Sequence, residues 1–400
     1  VENNIAYHIN QMLSSEVEPY EHLDLAILGE ERKLNIKLAP EQKEAIKMAL
    51  TKKFCVITGG PGTGKTTIIK TAVEIFNSYG LSVALCAPTG RAAKRLSTAC
   101  GREAKTIHRL LACSFSHAGG KTIFSRGASN PIDEEVVIVD EMSMVDISLM
   151  YHLLSAIPKP GRIIMVGDSD QLPSVGAGNV LRDIISSKTV KTVALKEIFR
   201  QAQQSMIVVN AHNINEGNLP EYDNKTGDFF FLKRNHPHQA ADEVVSLCKT
   251  RLPSFLGIDS LSQVQVMSPS RRGEAGVDSL NRILQNVFNP ASEKRAELKR
   301  PGFVLREGDK VMQIKNNYDI EWIKDNSTEK LLTGIAMSAS ESSTTEDDSS
   351  RGMAVKYYTF YSNYNSYSSP YDIANMPLSK KENGRFVAAE FDAVRTLARK

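Results

Sequence analysis

From about residue 38 to 195 the chain alternates two patterns. Short, wholly apolar, β-branched runs, "FCVITG" (54–59), "SVALCAP" (82–88), "VVIVDE" (136–141) and "RIIMVGD" (162–168), are separated by amphipathic stretches at 64–79, 91–100 and 146–157. An uninterrupted apolar strand has no solvent face, so these runs predict a parallel sheet covered by helices on both sides. A weaker alternation follows from about 204 to 316, with strands expected at "DFFFLKR" (228–234), "VQVMSPS" (264–270) and "DKVMQIK" (309–315). With helices expected around 238–250 and 277–288, it predicts a second α/β unit. The domain reading is therefore a helical segment at 1–37, a first α/β domain at 38–198, a second, partial one at 199–325 and an unassigned tail at 326–400.

The patterning stops after Trp322. Residues 326–350, including "SASESSTTEDDSS", are Ser/Thr-rich and acidic, the composition of a linker or a disordered loop. Residues 357–371, "YYTFYSNYNSYSSPY", concentrate six of the twelve tyrosines. They read either as a low-complexity segment or as stacking platforms for unpaired bases.

The chemistry begins where the first strand ends. Gly59, Gly64, Lys65 and Thr66 fit G-x-x-x-x-G-K-[ST] between a strand and a helix, the setting in which backbone N–H groups cradle a polyphosphate. Gly60, Gly62, Thr63 and Thr67 complete this candidate nucleotide site. Lys65 is expected to reach the β/γ oxygens, and Thr66 to offer its hydroxyl to Mg²⁺. The next buried acidic strand end, Asp140-Glu141, supplies a metal partner in Asp140 and, in Glu141, a group to orient or deprotonate attacking water. The strand after that leaves the sheet with Asp168, Asp170 and Gln171, at the edge where ligands of parallel sheets bind. Gln171 is a candidate γ-phosphate sensor. Arg200, at the expected seam of the two units, is either a salt-bridge partner or an arginine finger.

Composition narrows the partners little. With 49 Lys and Arg against 46 Asp and Glu the net charge is +3, too mild to imply nucleic acid by itself. Five cysteines without C-x-x-C spacing point to a reduced, cytoplasmic setting. The longest apolar stretches have strand length, and the N-terminus lacks a basic region followed by an apolar one, so neither a membrane span nor a secretory signal is expected. The start at Val1 rather than Met points to a longer product.

Taken in order, "LAPEQKEAI", "GGPGTGKTT", "APTGRAAKRL", "KTIHRLL", "VVIVDEMSMVD", "VGDSDQLPSVGAGNVL", "EIFRQA" and "VMSPSRRGEAGVDSLN" resemble the successive motifs of the RecD-like, superfamily 1 DNA helicases over about residues 2–321. The resemblance implies tandem RecA-like P-loop domains that bind ATP with Mg²⁺ between them and alternate their hold on a single DNA strand, in the 5′ to 3′ direction. It gives Gln42 the role of reading adenine, and keeps Lys65, Thr66, Asp140, Glu141, Gln171 and Arg200 in the roles above. Pro88, Thr89 and Arg91, Thr106 and His108, and Ser270 and Arg271 in the second domain, become candidate strand contacts. Residues 111–131, two arms around Gly119-Gly120, match an insertion that forms a pin beside the duplex fork. Single-stranded DNA and a duplex fork are the implied partners, along with other subunits for recombination or repair. A nucleotide-switched binding module and a scaffold subunit of a recombination nuclease are the competing readings. Relatives continue past "GDKVMQIKNNYDIEW" with a small β-barrel and two further motifs, whose strings the sequence reading does not find.

Overall fold

The four apolar runs become neighbouring parallel strands. The computed structural model describes residues 1–17, 20–115, 122–197, 204–222, 227–293, 295–300 and 302–310, and beyond them only short strand segments between Trp322 and Phe386. These residues belong to two units, Val1–Phe231 and Leu232–Lys400.

The first unit is built on strands β1 (Phe54–Gly59), β2 (Val83–Ala87), β3 (Ala104–Thr106), β6 (Val136–Val139), β7 (Arg162–Gly167) and β8 (Thr192–Leu195), in the order β3-β2-β6-β7-β1-β8. All neighbours pair in parallel. Alternate residues of β1, β2, β6 and β7 enter different cores. Phe54 and Val56 lie with Val137, Val139, Ile163 and Met165, whereas Cys55 and Ile57 lie with Val136, Ile138, Ile164 and Val166. Both faces are therefore dry, which is why the strands read as continuous apolar strings.

Helices α1 (Glu2–Leu13), α6 (Ile107–Leu110), α7 (Ile147–Ala156) and α8 (Val180–Ser187) cover the first core, and α2 (Leu23–Leu34), α3 (Pro40–Thr51), α4 (Lys65–Ser78) and α5 (Gly90–Cys100) the second. The N-terminal helices are part of this unit, because α1 contributes Ile5 and Ile9 to one core and α2 contributes Ile27 to the other. Between α6 and β6, strands β4 (Cys113–Phe115) and β5 (Thr122–Phe124) pair antiparallel as the two arms of the expected hairpin; the tip at 116–121 lies outside the described residues.

The boundary between units falls after Phe231, not at the expected seam of 198/199. The intervening stretch is tied to itself and to the first unit. Helix α9 (Met206–Asn215) starts where Asp228 accepts from Ser205 Oγ at 2.6 Å and from the Ile207 N–H at 3.2 Å. Buried Asn210 exchanges two 2.7 Å bonds with the backbone of Glu221. His212 of the same helix reaches the Pro61 carbonyl, 151 positions upstream.

In the second unit the helices Pro237–Ser246 and Val277–Phe288 form where expected. The strands do not: residues 228–234 and 264–270 carry no ladder, and 311–315 lie outside the described residues. Asp228 is spent on capping α9, and Val266 packs against Ala241, Cys248, Leu280 and Leu284. A hairpin of Glu297–Arg300 and Phe303–Arg306 follows the second helix. Its base is held by buried Asp309, which accepts from Gln285, Asn289 and the Arg306 N–H. Within the stretch expected as a linker, Ser327–Glu329 and Ser338–Ser340 are strands, since pairing requires backbone partners rather than apolar side chains. The tyrosine-rich segment lies outside the described residues.

Candidate active site

The strand order brings three loop ends together at the carboxyl edge of the first sheet. Strand β7 lies between β1, which delivers the phosphate loop, and β6, which delivers Asp140 and Glu141. Helix α4 begins at Gly64 with φ of 81°, and Gly62 has φ of 76°, a left-handed backbone that side chains rarely adopt. These two glycines let the chain turn from strand to helix with its N–H groups grouped at the helix start.

Lys65 folds back over the loop. Its Nζ donates to the Gly59 carbonyl at 2.5 Å and the Gly60 carbonyl at 2.9 Å. Burial pushes its pKa down, against the pull of Asp168, Asp140 and Glu141. Asp168, at the end of the intervening strand, is 4% exposed and accepts from the Asp170 N–H at 3.0 Å. It acts as the lysine's counter-charge. The sequence placed Asp168 at this edge without giving it a role; only the strand order shows why it matters.

Burial also pushes the carboxyls of Asp140 and Glu141 up, Glu141 further through its neighbour's charge, while Lys65 and Arg95 pull both down. Arg95, on the helix after β2, escaped the sequence reading. Asp140 Oδ1 accepts from the Glu141 N–H at 2.9 Å. Glu141 holds φ of 55°, strained for a side-chain-bearing residue, and such strain costs about 1–3 kcal/mol. An expensive backbone that presents a half-buried carboxylate fits a residue kept for chemistry rather than for packing.

The donor set suits a magnesium nucleotide. Thr66, in the first turn of α4, offers a hydroxyl, and Asp140, at the end of β6, a carboxylate oxygen. Mg²⁺ is commonly held through one or two protein oxygens plus substrate phosphates.

Gln42 is buried, at 2% exposure, rather than lying on an ordinary helix surface. Its Oε1 accepts from the Ala39 N–H at 3.1 Å and its Nε2 donates to the Thr63 carbonyl at 3.2 Å, so it caps α3 and steadies the phosphate loop together. Thr63 is itself buried and donates from Oγ1 to the Gly60 carbonyl at 2.9 Å. Gln171 is exposed on the loop after β7, its N–H 3.4 Å from the Asp168 carbonyl. Arg200 lies outside the described residues.

The candidate strand contacts divide by what their side chains already do. Thr89 and Thr106 are N-caps, accepting from the N–H groups of Ala92 and Arg109, both at 3.2 Å. Pro88 is half-buried and Arg91 exposed. His108 packs on Phe124 of the hairpin with ring centroids 5.9 Å apart, and Phe124 packs on His152 at 4.4 Å. Burial pushes the pKa of both imidazoles down. In the second unit Ser270 donates to the Arg272 carbonyl, and Arg271 Nε lies 3.4 Å from Asp278 at the start of the helix Val277–Phe288.

All five cysteines are free. Among the described residues no helix is long and apolar enough to cross a membrane.

A family model described as an AAA domain matches residues 37–228, and one described as the SH3 domain of ATP-dependent RecD-like DNA helicases matches residues 280–323. The second match corrects the sequence reading, which found no small barrel. Its family match spans "GDKVMQIKNNYDIEW", which had been assigned to the second α/β unit, and includes the Glu297–Arg300 hairpin. The ATP-dependent RecD2 DNA helicase of Deinococcus radiodurans is 36% identical over 284 residues, 71% of this chain and 37% of that protein. The RecBCD enzyme subunit RecD of Mycolicibacterium smegmatis is 31% identical over 277 residues, 61% of this chain and 50% of that protein. This chain thus spans half or less of the length of these two relatives. A crystal structure of Pif1 helicase from Bacteroides with ADP-AlF3 and ssDNA covers 70% of this chain and 67% of its own, at 19% identity and a TM-score of 0.37.

Proposed function

We propose that the chain is a RecD-like helicase motor that hydrolyses ATP to separate DNA strands, a reading supported by its similarity to the RecD2 helicase and by the RecD-like SH3 match. The observation that carries the reading is the convergence of Lys65, Asp140, Glu141 and Asp168 at one sheet edge, where burial shifts the lysine down and the Asp140-Glu141 pair up.

Each residue then has a task. The loop N–H groups from Gly62 to Thr66 and the start of α4 receive the phosphates, with Gly60 and Thr67 flanking them. Lys65 exchanges the carbonyls of Gly59 and Gly60 for phosphate oxygens, a short swing for a flexible side chain already poised there. Thr66 and Asp140 hold Mg²⁺, which supplies neutralisation of phosphate charge when bound. Glu141 orients the attacking water and takes its proton, a role that a raised pKa serves by bringing the base closer to neutral pH. Gln171 senses the terminal phosphate from a loop fastened to Asp168, and Arg200 stabilises the transition-state charge. Gln42 adds adenine selectivity to its structural bonds, since an amide retains one further hydrogen and one further lone pair.

Pro88, Thr89, Arg91, Thr106 and His108, with Ser270 and Arg271 of the second unit, hold single-stranded DNA. Phosphate contacts dominate such binding, so affinity should fall with salt at a slope of about −0.7 per phosphate neutralised. Movement is 5′ to 3′, the hairpin at 111–131 meets the duplex fork, and further recombination or repair subunits are expected partners. The test is strand separation on forked duplexes bearing a 5′ or a 3′ tail. We expect ATP-dependent separation from the 5′ tail alone; ATP-independent separation, or DNA binding without separation, contradicts the reading.

A further inference from the structure

We propose that His212 is a positioning residue for the nucleotide: from helix α9 it holds the phosphate loop so that the Gly62 N–H faces the phosphates. The inference rests on the nucleotide reading of this loop. The His212 Nε2 lies 3.3 Å from the Pro61 carbonyl oxygen. A carbonyl can only accept, so Nε2 carries the hydrogen and donates it. A trans peptide sends its C=O and the next N–H to opposite sides, so a Pro61 carbonyl fixed on the α9 side fixes the Gly62 N–H on the other. Gln42 does the same two residues on, holding the Thr63 carbonyl and thereby the direction of the Gly64 N–H. The loop is thus braced at alternate carbonyls by two side chains from elements on either side of it in sequence.

The imidazole also explains the loop's second glycine. Gly60 has no left-handed backbone to require it, yet a Cβ there would stand 2.5 Å from His212 Cε1 and 3.1 Å from Nε2. A ring seated on a glycine face is a fitted contact, and α9 has little freedom to withdraw it. The helix is capped through Ser205 and Asp228, and its buried Asn210 is stitched to Glu221. His212 is thus a contact through which this helix holds the phosphate loop.

The test is titration of the full chain with a fluorescent ADP analogue in the presence of Mg²⁺, together with thermal melting. His212→Ala should weaken binding between about twofold and tenfold, the range of one hydrogen bond. His212→Gln, which retains a donor, should recover most of it, a rescue that loss of packing alone would not show. Gly60→Ala should weaken binding in the parent chain and have little further effect in the His212→Ala background, because the clash is with the ring. Unchanged affinity in His212→Ala, failure of glutamine to rescue, or additive effects of the two substitutions would overturn the proposal. If Lys65→Ala abolishes binding while His212→Ala does not, only the role of His212 falls. If neither substitution weakens binding, the nucleotide reading itself falls.

Discussion

Gln42 donates from Nε2 to the carbonyl of Thr63 across 3.2 Å, so a residue ahead of the first strand holds the phosphate loop from outside. A bond of this kind serves every nucleotide, whatever its base. Gln42→Ala should therefore weaken GTP as well as ATP, each by about tenfold or less, with any adenine selectivity lost on top. Parallel titrations check it. A loss confined to ATP would contradict the brace.

Glu141 should be a residue whose removal stabilises the protein. Its folded pKa lies above the ordinary glutamate value, so ionisation at neutral pH costs stability that is present below the unfolded pKa and lost as pH rises through the folded one. Glu141→Gln removes that cost. The expected outcome is a higher melting temperature than the parent at pH 7, a difference that shrinks as pH falls below the carboxylate range, and loss of ATP hydrolysis. Melting curves across pH decide it; a lower melting temperature at pH 7 would be the wrong sign.

Arg91 and Thr106 should separate when substituted, although both are candidate strand contacts. Arg91 is exposed, and Arg91→Ala should lower affinity for single-stranded DNA and reduce the salt slope by about 0.7 without changing the melting temperature. Thr106 caps α6, so Thr106→Ala should cost about 1 kcal/mol of stability before any effect on DNA is counted. Denaturant melts beside salt-dependent binding curves distinguish the two.

Phe124 joins the hairpin to His108 of α6 on one side and to His152 of α7 on the other. Phe124→Ala should leave single-strand-stimulated ATP hydrolysis near the parent rate and cut fork separation severalfold. Equal loss of both activities would show that the contact serves folding rather than the hairpin.

The first unit was largely legible because its chemistry is local and its strands are buried on both faces. Asp140 and Asp168 sit just past strand ends that apolar runs mark plainly, and Lys65 opens the helix that follows the first of the sheet's strands. What escaped were residues placed by topology: Arg95, reaching the carboxylates electrostatically from the helix after β2, and His212, brought back 151 positions to Pro61. No periodicity announces such contacts. In the second unit the strings "DFFFLKR" and "VQVMSPS" have the composition of strands but form no ladder among the described residues, and a strand is defined by its neighbour. The small barrel's match escaped because its region was read as a continuation of the second α/β pattern.

The steady-state rate of ATP hydrolysis, measured with and without single-stranded DNA for the parent chain and for Lys65→Ala, tests the central claim most directly. A rate that rises on adding DNA in the parent and stays at background in Lys65→Ala is the predicted result. Hydrolysis in Lys65→Ala that matches the parent, or a parent rate that DNA leaves unchanged, would contradict it.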